Sequence, residues 1–564
     1  MSVGLAIAFI FCLILGRMFF VQVVWGDKLT LKAFDQWNRE IPIIAGRGVI
    51  ADRNGVVIAG NRTTYSVFLR PRAVINKEYT ATVLSGIFGR DPSELIKKIE
   101  DVKVSEITVA RQVERESVEE LISYDLPGVY YSRDNTRSYT YNDALCQVLG
   151  FTANDGTGLS GIEKFYDNVL GGVNGEITYT TDIVGIETEN SVAVYHEAKD
   201  GDEIRLTIDM DIQLAAEDAM KSVYHSSKAK KVSCIVLNPQ NFDILALVNY
   251  PSYDLNNVPR DDQELLNSYS RNSIVSDIYE PGSTFKVVTA AADIEEYLQG
   301  NSKAFSTSYV FNGSRTRTVD GTKIKCWSDH SNGKHSNQTL AEALNNSCNP
   351  CFTDMALSLG SQTFYNYLNA FGFGNVTGLD FNGEALGMLV PQTAVRDCDL
   401  ARIGFGQTIA VTGIQLACAI AAAVNGGNYY VPHLLESIVT SDGKNVNEVA
   451  PVLKNKVISE KASSILAQML EGVVTEGSGK KAYIEGYRVG GKTGTAQKYE
   501  DGHVAQGKYV SSFCGFFPAN NPEYLALIIV DEPQGTYYGS AVAAPVAAEI
   551  FKDIIQIKNI QRYE

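Results

Sequence analysis

Three short motifs whose side chains could together perform serine acyl transfer follow one another along the chain. They are Ser283-Thr-Phe-Lys286, Ser347-Cys-Asn349 and Lys492-Thr-Gly494. A serine hydroxyl is a poor nucleophile until a neighbouring base removes its proton, and a lysine can be that base once burial or a second cation lowers its pKa. The motifs therefore indicate one site that holds a nucleophile, a base and a second cation.

Sequence context separates one copy of the S-x-x-K pattern from the others. The pattern occurs five times, starting at Ser227, Ser283, Ser331, Ser441 and Ser478. Only Ser283 follows a turn signal, Tyr279-Glu-Pro-Gly282, that leads directly into a helix-compatible run. A lysine three residues later then lies on the same helix face as the serine. We predict Ser283 as the nucleophile and interpret the other four copies as chance matches.

The remaining motif residues suit supporting roles in the same chemistry. Lys492 would supply the second cation, and the Ser347 hydroxyl would relay the proton. Asn349 would hold Lys286 and a substrate amide by hydrogen bonds. Unpaired N–H groups at the start of the helix would face a developing oxyanion.

The stretch around Lys492 reads as a strand edge that approaches the substrate. The preceding glycine pair, Gly490-Gly491, allows a close approach of the backbone. Thr493 and Thr495 would then present their hydroxyls to a carboxylate of the substrate.

Composition excludes several classes of function. A formal net charge of −16 over 564 residues argues against a nucleic-acid surface. The six histidines include no H-E-x-x-H spacing, which disfavours a metallohydrolase. A loose group near Ser347 comprises Cys326, His330, His335, Cys348 and Cys351. Zinc is the alternative there, but the chain lacks a second C-x-x-C motif at finger spacing, so we favour packed thiols and loop histidines and expect no metal and no cofactor.

The three motifs are those of penicillin-binding proteins and serine β-lactamases, which the chain resembles. Three further blocks narrow the resemblance. Arg47–Gly55 looks like the R-G-x-I-x-D-R-N-G signature of class B penicillin-binding proteins, the monofunctional transpeptidases. Gly158–Glu163 resembles their G-x-x-G-[IL]-E block, and Gly404–Gln407 with Thr412–Gln415 resembles their G-x-G-Q…T-x-x-Q block.

The resemblance implies a role for each catalytic residue. Ser283 would attack the D-Ala–D-Ala carbonyl of a peptidoglycan stem peptide and release the last D-alanine. Lys286 would be the general base, helped by Ser347. Asn349 would orient the donor peptide, and Lys492 would tune the site electrostatically.

The same resemblance assigns the binding residues. Thr493, Gly494 and Thr495 would bind the substrate, with the two threonines on the carboxylate of the peptide or of a penicillin. Backbone N–H groups of Ser283 and Thr495 would form the oxyanion hole. An amine of a neighbouring stem peptide would resolve the acyl-enzyme and form the crosslink.

Apolar runs predict an α+β catalytic domain at 201–564, with an antiparallel sheet faced by helices. The resemblance implies that this domain has the penicillin-binding and serine β-lactamase-like transpeptidase fold. Runs at 234–237, 243–248 and 524–530 read as buried strands, with helical stretches at 413–424 and 461–474 between them. Residues 26–200 mix short strands and helices and resemble the family's non-catalytic, dimerisation-type pedestal. Residues 1–25 read as an N-terminal transmembrane helix.

The resemblance also implies location and partners. A single N-terminal anchor would place the protein in the cell membrane with the catalytic domain outside the cytoplasm. Its expected partners are peptidoglycan stem peptides, β-lactams, the membrane, a membrane-embedded glycan polymerase and divisome proteins. We expect it to bind no nucleic acid. We expect wall crosslinking in septal division or sporulation.

Several alternatives stay open at this point. An elongation-type transpeptidase shares every motif. A catalytically silent scaffold of the wall complex is disfavoured by the intact Ser283, Lys286 and Lys492. A β-lactamase or a D,D-carboxypeptidase is disfavoured by the anchor and the pedestal.

Overall fold

The structure is a computed structural model that describes residues 2–25, 38–101, 106–180, 194–330, 333, 335–500 and 503–563. The chain divides into two compact units. Unit 1 comprises Met1–Gly48, Asn61–Thr136 and Asn168–Asp202, and unit 2 comprises Val49–Gly60, Arg137–Asp167 and Glu203–Glu564. The domain boundaries expected from the sequence, 1–25, 26–200 and 201–564, stay a prediction.

The described residues form 22 β-strands. They are β1 (Asn38–Ile43), β2 (Ile50–Ala51), β3 (Val57–Leu69), β4 (Ile107–Val113), β5 (Val129–Tyr139), β6 (Gly175–Thr180), β7 (Val194–His196), β8 (Glu203–Leu206), β9 (Lys231–Leu237), β10 (Ile244–Tyr250), β11 (Ile278–Tyr279), β12 (Thr316–Val319), β13 (Thr322–Lys325), β14 (Met388–Leu389), β15 (Ile409–Thr412), β16 (Asn428–Tyr430), β17 (Leu435–Val439), β18 (Val446–Glu448), β19 (Leu453–Lys456), β20 (Gly490–Glu500), β21 (His503–Phe517) and β22 (Tyr524–Asp531).

The α-helices follow in the same order. They are α1 (Ser2–Phe19), α2 (Lys77–Phe88), α3 (Pro92–Glu100), α4 (Arg115–Ser123), α5 (Cys146–Leu149), α6 (Gly161–Phe165), α7 (Asp167–Leu170), α8 (Met210–Ser227), α9 (Gln263–Tyr269), α10 (Ser273–Ser276), α11 (Lys286–Leu298), α12 (Leu340–Asn345), α13 (Asn349–Ala370), α14 (Asp397–Ile403), α15 (Gly413–Val424), α16 (Glu460–Thr475) and α17 (Gly539–Ile557).

Unit 1 has its own small apolar core. Val67 and Leu69 of β3 pack with Leu84 of α2 and with residues of α3 and β4. The start of α3 is fixed by an N-cap, because the Asp91 side chain accepts a hydrogen bond from the backbone N–H of Ser93 at 2.8 Å. These elements form the mixed α/β pedestal that the sequence predicts.

The α1 helix of unit 1 carries exposed apolar side chains, among them Phe9, Phe11 and Leu13, each more than half exposed. Across the described part of the chain, no helix reaches the length and hydrophobicity that a bilayer crossing requires. The anchor expected at residues 1–25 therefore stays a prediction.

Unit 2 is built on a five-stranded antiparallel sheet in the order β10-β9-β22-β21-β20. Helices α8 and α17 cover one face through a cluster that includes Val236, Ile528 and Phe551. The other face packs against α15, where Gly413 lies beside Ile529. The predicted antiparallel sheet faced by helices is confirmed, and the three predicted strands are β9, β10 and β22.

Two of the sequence blocks have structural functions inside unit 2. Asp52 is buried, and its carboxylate accepts hydrogen bonds from the N–H groups of Asn54 and Val56 and from that of Met210, the first residue of α8. Glu163 is fully buried and accepts a hydrogen bond from Arg137 Nε at 2.7 Å. Both carboxylates hold connecting segments in place.

Candidate active site

The predicted nucleophile lies on a turn that leads into the central buried helix of unit 2. Ser283 belongs to a 3₁₀ turn, Gly282–Phe285, and Lys286 is the first residue of α11. The first ten residues of α11 are buried, since they are mainly valine and alanine and pack on all sides. The Lys286 side chain is therefore removed from water, with 0% exposure.

Lys286 joins the first two motifs through four hydrogen bonds. Its Nζ donates to Ser283 Oγ at 2.9 Å and to Asn349 Oδ1 at 2.8 Å. It also donates to the Ser347 carbonyl oxygen at 2.9 Å and to Ser347 Oγ at 3.1 Å. Four acceptors exceed the three hydrogens of an ammonium group, so two of these contacts share one hydrogen.

Lys492 brings the third motif to the same point. It lies on β20, is fully buried, and donates from Nζ to Ser347 Oγ at 3.1 Å and to the Thr493 carbonyl oxygen at 3.2 Å. Ser347 Oγ thus lies between the two lysine nitrogens. Ser347 itself has φ 53°, a left-handed conformation in the connection between α12 and α13. The structure therefore brings Ser283, Lys286, Ser347, Asn349 and Lys492 together, as their motif assignments predict.

Burial sets the protonation of the two lysines. Desolvation is the main cause that lowers the pKa of Lys286 to about 8, although the facing thiols of Cys326, Cys348 and Cys351 oppose it. Desolvation also holds the pKa of Lys492 well below its usual value, and the Lys286 charge lowers it further. A lysine with this pKa spends part of its time neutral near physiological pH, which a general base requires.

Two close glycine contacts surround the serine turn, one with the segment after α14 and one with β20. Gly282 donates its N–H to the Gly406 carbonyl at 2.9 Å. A Cβ on Gly406, which has φ 82°, would lie 2.0 Å from the Gly282 carbonyl oxygen. A Cβ on Gly494 would lie 2.4 Å from Ser512 Oγ and 3.0 Å from the Pro281 carbonyl oxygen. The glycines of the K-T-G and G-x-G-Q blocks are thus required by close approach.

The predicted binding residues line a cavity of about 540 Å³ that also contains Ser283. Thr493 Oγ1 lies 3.1 Å from Ser478 Oγ. Thr495 Oγ1 accepts a hydrogen bond from the Gly539 N–H at 3.0 Å, so its own hydroxyl hydrogen remains available to an anion. The lining residues are Gly282, Ser283, Trp327, Ser347, Asn349, Phe405, Gln407, Ser478, Thr493, Gly494, Thr495, Tyr537, Tyr538 and Ser540.

Several lining residues were not predicted as site residues. Ser478 starts one of the rejected S-x-x-K copies, and it enters the site through Thr493 rather than as a nucleophile. Gln407 belongs to the G-x-G-Q block, so its motif was a usable signal. Trp327, Tyr537 and Tyr538 stand in no motif and carried no signal in the sequence.

Four potential metal ligands lie beside Ser347. The ligand atoms of Cys326, His330, His335 and Cys348 all lie within 4.8 Å of one another. The sequence favoured packed thiols and loop histidines at these positions, whereas the fold brings the four side chains into one cluster. Cys351 is buried nearby but is not one of the four.

Two regions of the chain match protein families. Residues 232–554 match the penicillin binding protein transpeptidase domain. Residues 42–206 match the penicillin-binding protein dimerisation domain. The first match alone spans more than half of the chain and contains every predicted site residue.

Individual relatives extend over nearly the whole chain. Stage V sporulation protein D of Bacillus subtilis (strain 168) is 38% identical over 549 residues, which cover 96% of this chain and 83% of the relative. Peptidoglycan D,D-transpeptidase FtsI of Escherichia coli (strain K12) is 28% identical over 567 residues, or 99% of this chain and 90% of the relative. Penicillin binding protein 2X from Streptococcus thermophilus has the same fold, with a TM-score of 0.76 at 21% identity over 92% of this chain and 81% of its own.

Proposed function

This chain belongs to the penicillin-binding proteins of the transpeptidase family, and on that premise we propose that Ser283 is its acyl-transfer nucleophile and Lys286 the base. The chain is a serine-type peptidoglycan D,D-transpeptidase of cell-wall synthesis in division or sporulation, the activity and the process for which its relatives are named. The observation that carries the residue assignment is the 2.9 Å hydrogen bond between Lys286 Nζ and Ser283 Oγ at a buried lysine.

Acylation follows from this geometry. With Lys286 neutral, Ser283 Oγ loses its proton to Lys286 Nζ as it attacks the carbonyl carbon of the penultimate D-alanine. The bond from that carbon to the terminal D-alanine nitrogen breaks, and the leaving amine takes up a proton. Ser347 Oγ lies 3.1 Å from both Lys286 and Lys492, so its hydroxyl is placed to deliver that proton.

Substrate binding uses the charge and the open hydroxyls of β20. Lys492 Nζ and the hydroxyls of Thr493 and Thr495 bind the terminal carboxylate of the stem peptide, or the carboxylate of a penicillin, and the bound carboxylate favours the protonated form of Lys492. The backbone N–H groups of Ser283 and Thr495 form the oxyanion hole, and their position at the turn and on the facing strand supports this assignment. Asn349, held by Lys286, orients the donor peptide.

The acyl-enzyme is resolved by an amine rather than by water. The amino group of a neighbouring stem peptide attacks the ester carbon, Ser283 Oγ leaves and regains its proton, and a peptide crosslink forms. A β-lactam enters the same first step, but its leaving nitrogen stays tethered after ring opening and obstructs the acceptor. We therefore expect penicillins to acylate Ser283 without rapid turnover.

We further propose that residues 1–25 anchor the chain in the cell membrane, with unit 2 on the extracytoplasmic side. The exposed apolar side chains of α1, such as Phe9 and Leu13, support contact with a membrane, because large exposed apolar patches mark interaction surfaces. The match of residues 42–206 to a dimerisation domain supports a pedestal that binds other wall proteins. We propose a membrane-embedded glycan polymerase and divisome proteins as its partners.

Labelling with a fluorescent penicillin tests the nucleophile. Wild-type protein acquires a covalent label, and Ser283→Ala acquires none. Ser441→Ala is the matched control, since Ser441 begins another S-x-x-K copy and lies in a surface turn; it keeps wild-type labelling. Label on Ser283→Ala would refute the assignment, and loss of label from wild type within minutes would indicate a β-lactamase.

A further inference from the structure

A compact group of four side chains lies beside Ser347 of the candidate active site. Cys326, His330, His335 and Cys348 come from the end of β13, the loop after it and the N-cap of α13. Cys326 Sγ lies 3.7 Å from Cys348 Sγ and 3.7 Å from His335 Nδ1. Cys348 Sγ lies 3.8 Å from His330 Nε2.

These three separations are close to the edges that a tetrahedral metal site would have. Zinc–sulfur bonds of about 2.3 Å and zinc–nitrogen bonds of about 2.0–2.1 Å imply edges of about 3.8 Å between two sulfurs and about 3.5 Å between sulfur and nitrogen in a tetrahedral site. The three separations lie within about 0.3 Å of those values, and all four ligand atoms lie within 4.8 Å of one another. The described side chains need only small adjustments to close on an ion.

The orientation of His330 is fixed by a partner outside the cluster. Its Nδ1 lies 2.8 Å from the Gly313 carbonyl oxygen, and a carbonyl can only accept, so Nδ1 carries the proton. The lone pair is therefore on Nε2, the atom that faces Cys348 Sγ. A backbone carbonyl that holds the second nitrogen of a histidine is the usual support of a metal-ligating imidazole.

Burial and charge also favour a metal ion here. Cys326, His335 and Cys348 are each at most 3% exposed. Two thiolates and two neutral imidazoles around a divalent ion carry no net charge, so the complex adds no electrostatic repulsion at the nearby Lys286 amine. Two soft sulfurs and two imidazoles in tetrahedral array select zinc among the common divalent ions.

We propose that Cys326, His330, His335 and Cys348 bind one structural zinc ion next to the active-site serine cluster. Binding releases one proton from each thiol to solvent, forms four metal–ligand bonds, and involves no change of oxidation state. All four positions are taken by protein, so the ion has no open position for a substrate.

The ion would fix the position of the segment that carries the S-x-N motif. Cys348 lies in the chain between Ser347 and Asn349, whose side-chain oxygens accept hydrogen bonds from Lys286 Nζ. Trp327 follows Cys326 directly, lines the cavity, and donates its Nε1–H to the Ser347 carbonyl at 3.2 Å. This consequence for catalysis rests on the proposed function, whereas the metal site itself does not.

Metal content is the direct test. The full chain, purified in detergent without chelators and under reducing conditions, is expected to contain one zinc ion per chain by elemental mass spectrometry. After demetallation, titration with Co²⁺ is expected to give thiolate-to-cobalt charge-transfer absorption that saturates at one equivalent. A chain that takes up neither ion, or that shows a Cys326–Cys348 disulfide in place of bound metal, would overturn the proposal.

Variants locate the site on these residues. Replacing a residue that only supports a metal ligand typically lowers metal affinity by about 10–100-fold. Cys326→Ser and His330→Ala remove a ligand itself, so we expect a larger loss of zinc affinity in both variants. Cys351→Ser is the matched control, because this buried thiol lies beside the cluster but outside it; it keeps one zinc. His330→Cys keeps zinc as well, since three cysteines and one histidine form an equivalent site. Equal zinc in wild type and Cys326→Ser would contradict the assignment.

The effect on acylation is read separately. Demetallated wild-type chain is expected to react with penicillin more slowly and to recover its rate when zinc is returned. If zinc binds stoichiometrically but acylation is unchanged, the role in fixing the S-x-N segment is wrong. If Ser283→Ala abolishes acylation while zinc content stays at one, the catalytic assignment and the metal site are shown to be independent.

Discussion

At the residue scale, Ser347 Oγ is the atom on which the proposed proton path depends. It lies 3.1 Å from Lys286 Nζ and 3.1 Å from Lys492 Nζ. Its backbone is in a left-handed conformation that directs the hydroxyl between the two amines. The Ser347 side chain therefore connects the base beside the nucleophile to the edge of the substrate site.

Replacing this hydroxyl tests the relay. Ser347→Ala is expected to lower the second-order rate of penicillin acylation by about 10²–10⁴-fold, the usual contribution of a positioned proton donor or acceptor. Ser478→Ala is the comparison, since among the described residues the Thr493 hydroxyl is the hydrogen-bond partner of the Ser478 hydroxyl; this variant should lose much less. Stopped-flow acylation measures both. Equal losses in the two variants would rule out a special role for Ser347.

The pH dependence follows from the protonation of Lys286. The base must be neutral to accept a proton, and burial lowers the pKa of Lys286 to about 8. Acylation should therefore rise about tenfold per pH unit well below pH 8 and level off above it. Other titratable groups interact electrostatically with Lys286. They are Lys492 and the thiols of Cys326, Cys348 and Cys351.

The measurement is the acylation rate between pH 6 and pH 9.5, with the fold checked at each pH by circular dichroism. A rate that is flat or that falls over this range would show that neutral Lys286 is not the base. Lys286→Ala serves as the control, and it should lose both the rate and the rise with pH.

At the element scale, the positions of helices and strands were well predicted wherever caps and apolar runs coincide. The α15 helix has the predicted bounds, 413–424, because Thr412 and Gln415 form a capping box at its start. The β9, β10 and β22 strands follow their apolar runs. The serine turn was also predicted, since Pro281 and Gly282 mark it in the sequence.

Contacts between distant elements were much harder to predict. The meeting of Gly406 with the Gly282 carbonyl joins residues more than a hundred positions apart, and only a motif resemblance pointed to it. The Cys326, His330, His335 and Cys348 cluster depends on how β13 and the loop after it fold onto the start of α13. Sequence spacing alone does not determine such an approach.

The glycine contact gives a prediction at this scale. Gly406→Ala places a Cβ 2.0 Å from the Gly282 carbonyl oxygen and should destabilise unit 2 by about 2 kcal/mol or more while displacing Ser283. Gly300→Ala is the matched control, because Gly300 has φ 83° but no atom within 4 Å of the new Cβ. Thermal unfolding and penicillin acylation are measured on both. Similar losses would mean that backbone strain, and not the contact, explains the effect.

At the scale of the whole molecule, the chain combines two compact units. The sequence predicted a pedestal and a catalytic domain, yet segments 49–60 and 137–167 group with the catalytic unit. Asp52 shows why, since its carboxylate accepts a hydrogen bond from the N–H of Met210 at the start of α8. Hydrogen bonds that link residues 158 positions apart cannot be inferred from composition along the chain.

Membrane anchoring through residues 1–25 can be tested by truncation. Removing residues 1–25 should move the protein from the membrane fraction to the soluble fraction while penicillin labelling of Ser283 is retained, because the site lies entirely in unit 2. The full chain in the same expression host is the control. A full chain that fractionates as soluble, or a truncated chain that stays with the membrane, would contradict the anchor.

The central claim is that Ser283 transfers a stem-peptide acyl group to an amine. The most direct measurement is mass spectrometry of the products when the full chain is given a synthetic donor ending in D-Ala–D-Ala and a D-amino acid as acceptor. The expected products are an exchanged peptide, one released D-alanine per turnover and a trapped acyl ester on the peptide that contains Ser283, whereas Ser283→Ala is expected to form no product. Free acid as the main product, or product formed by Ser283→Ala, would contradict it.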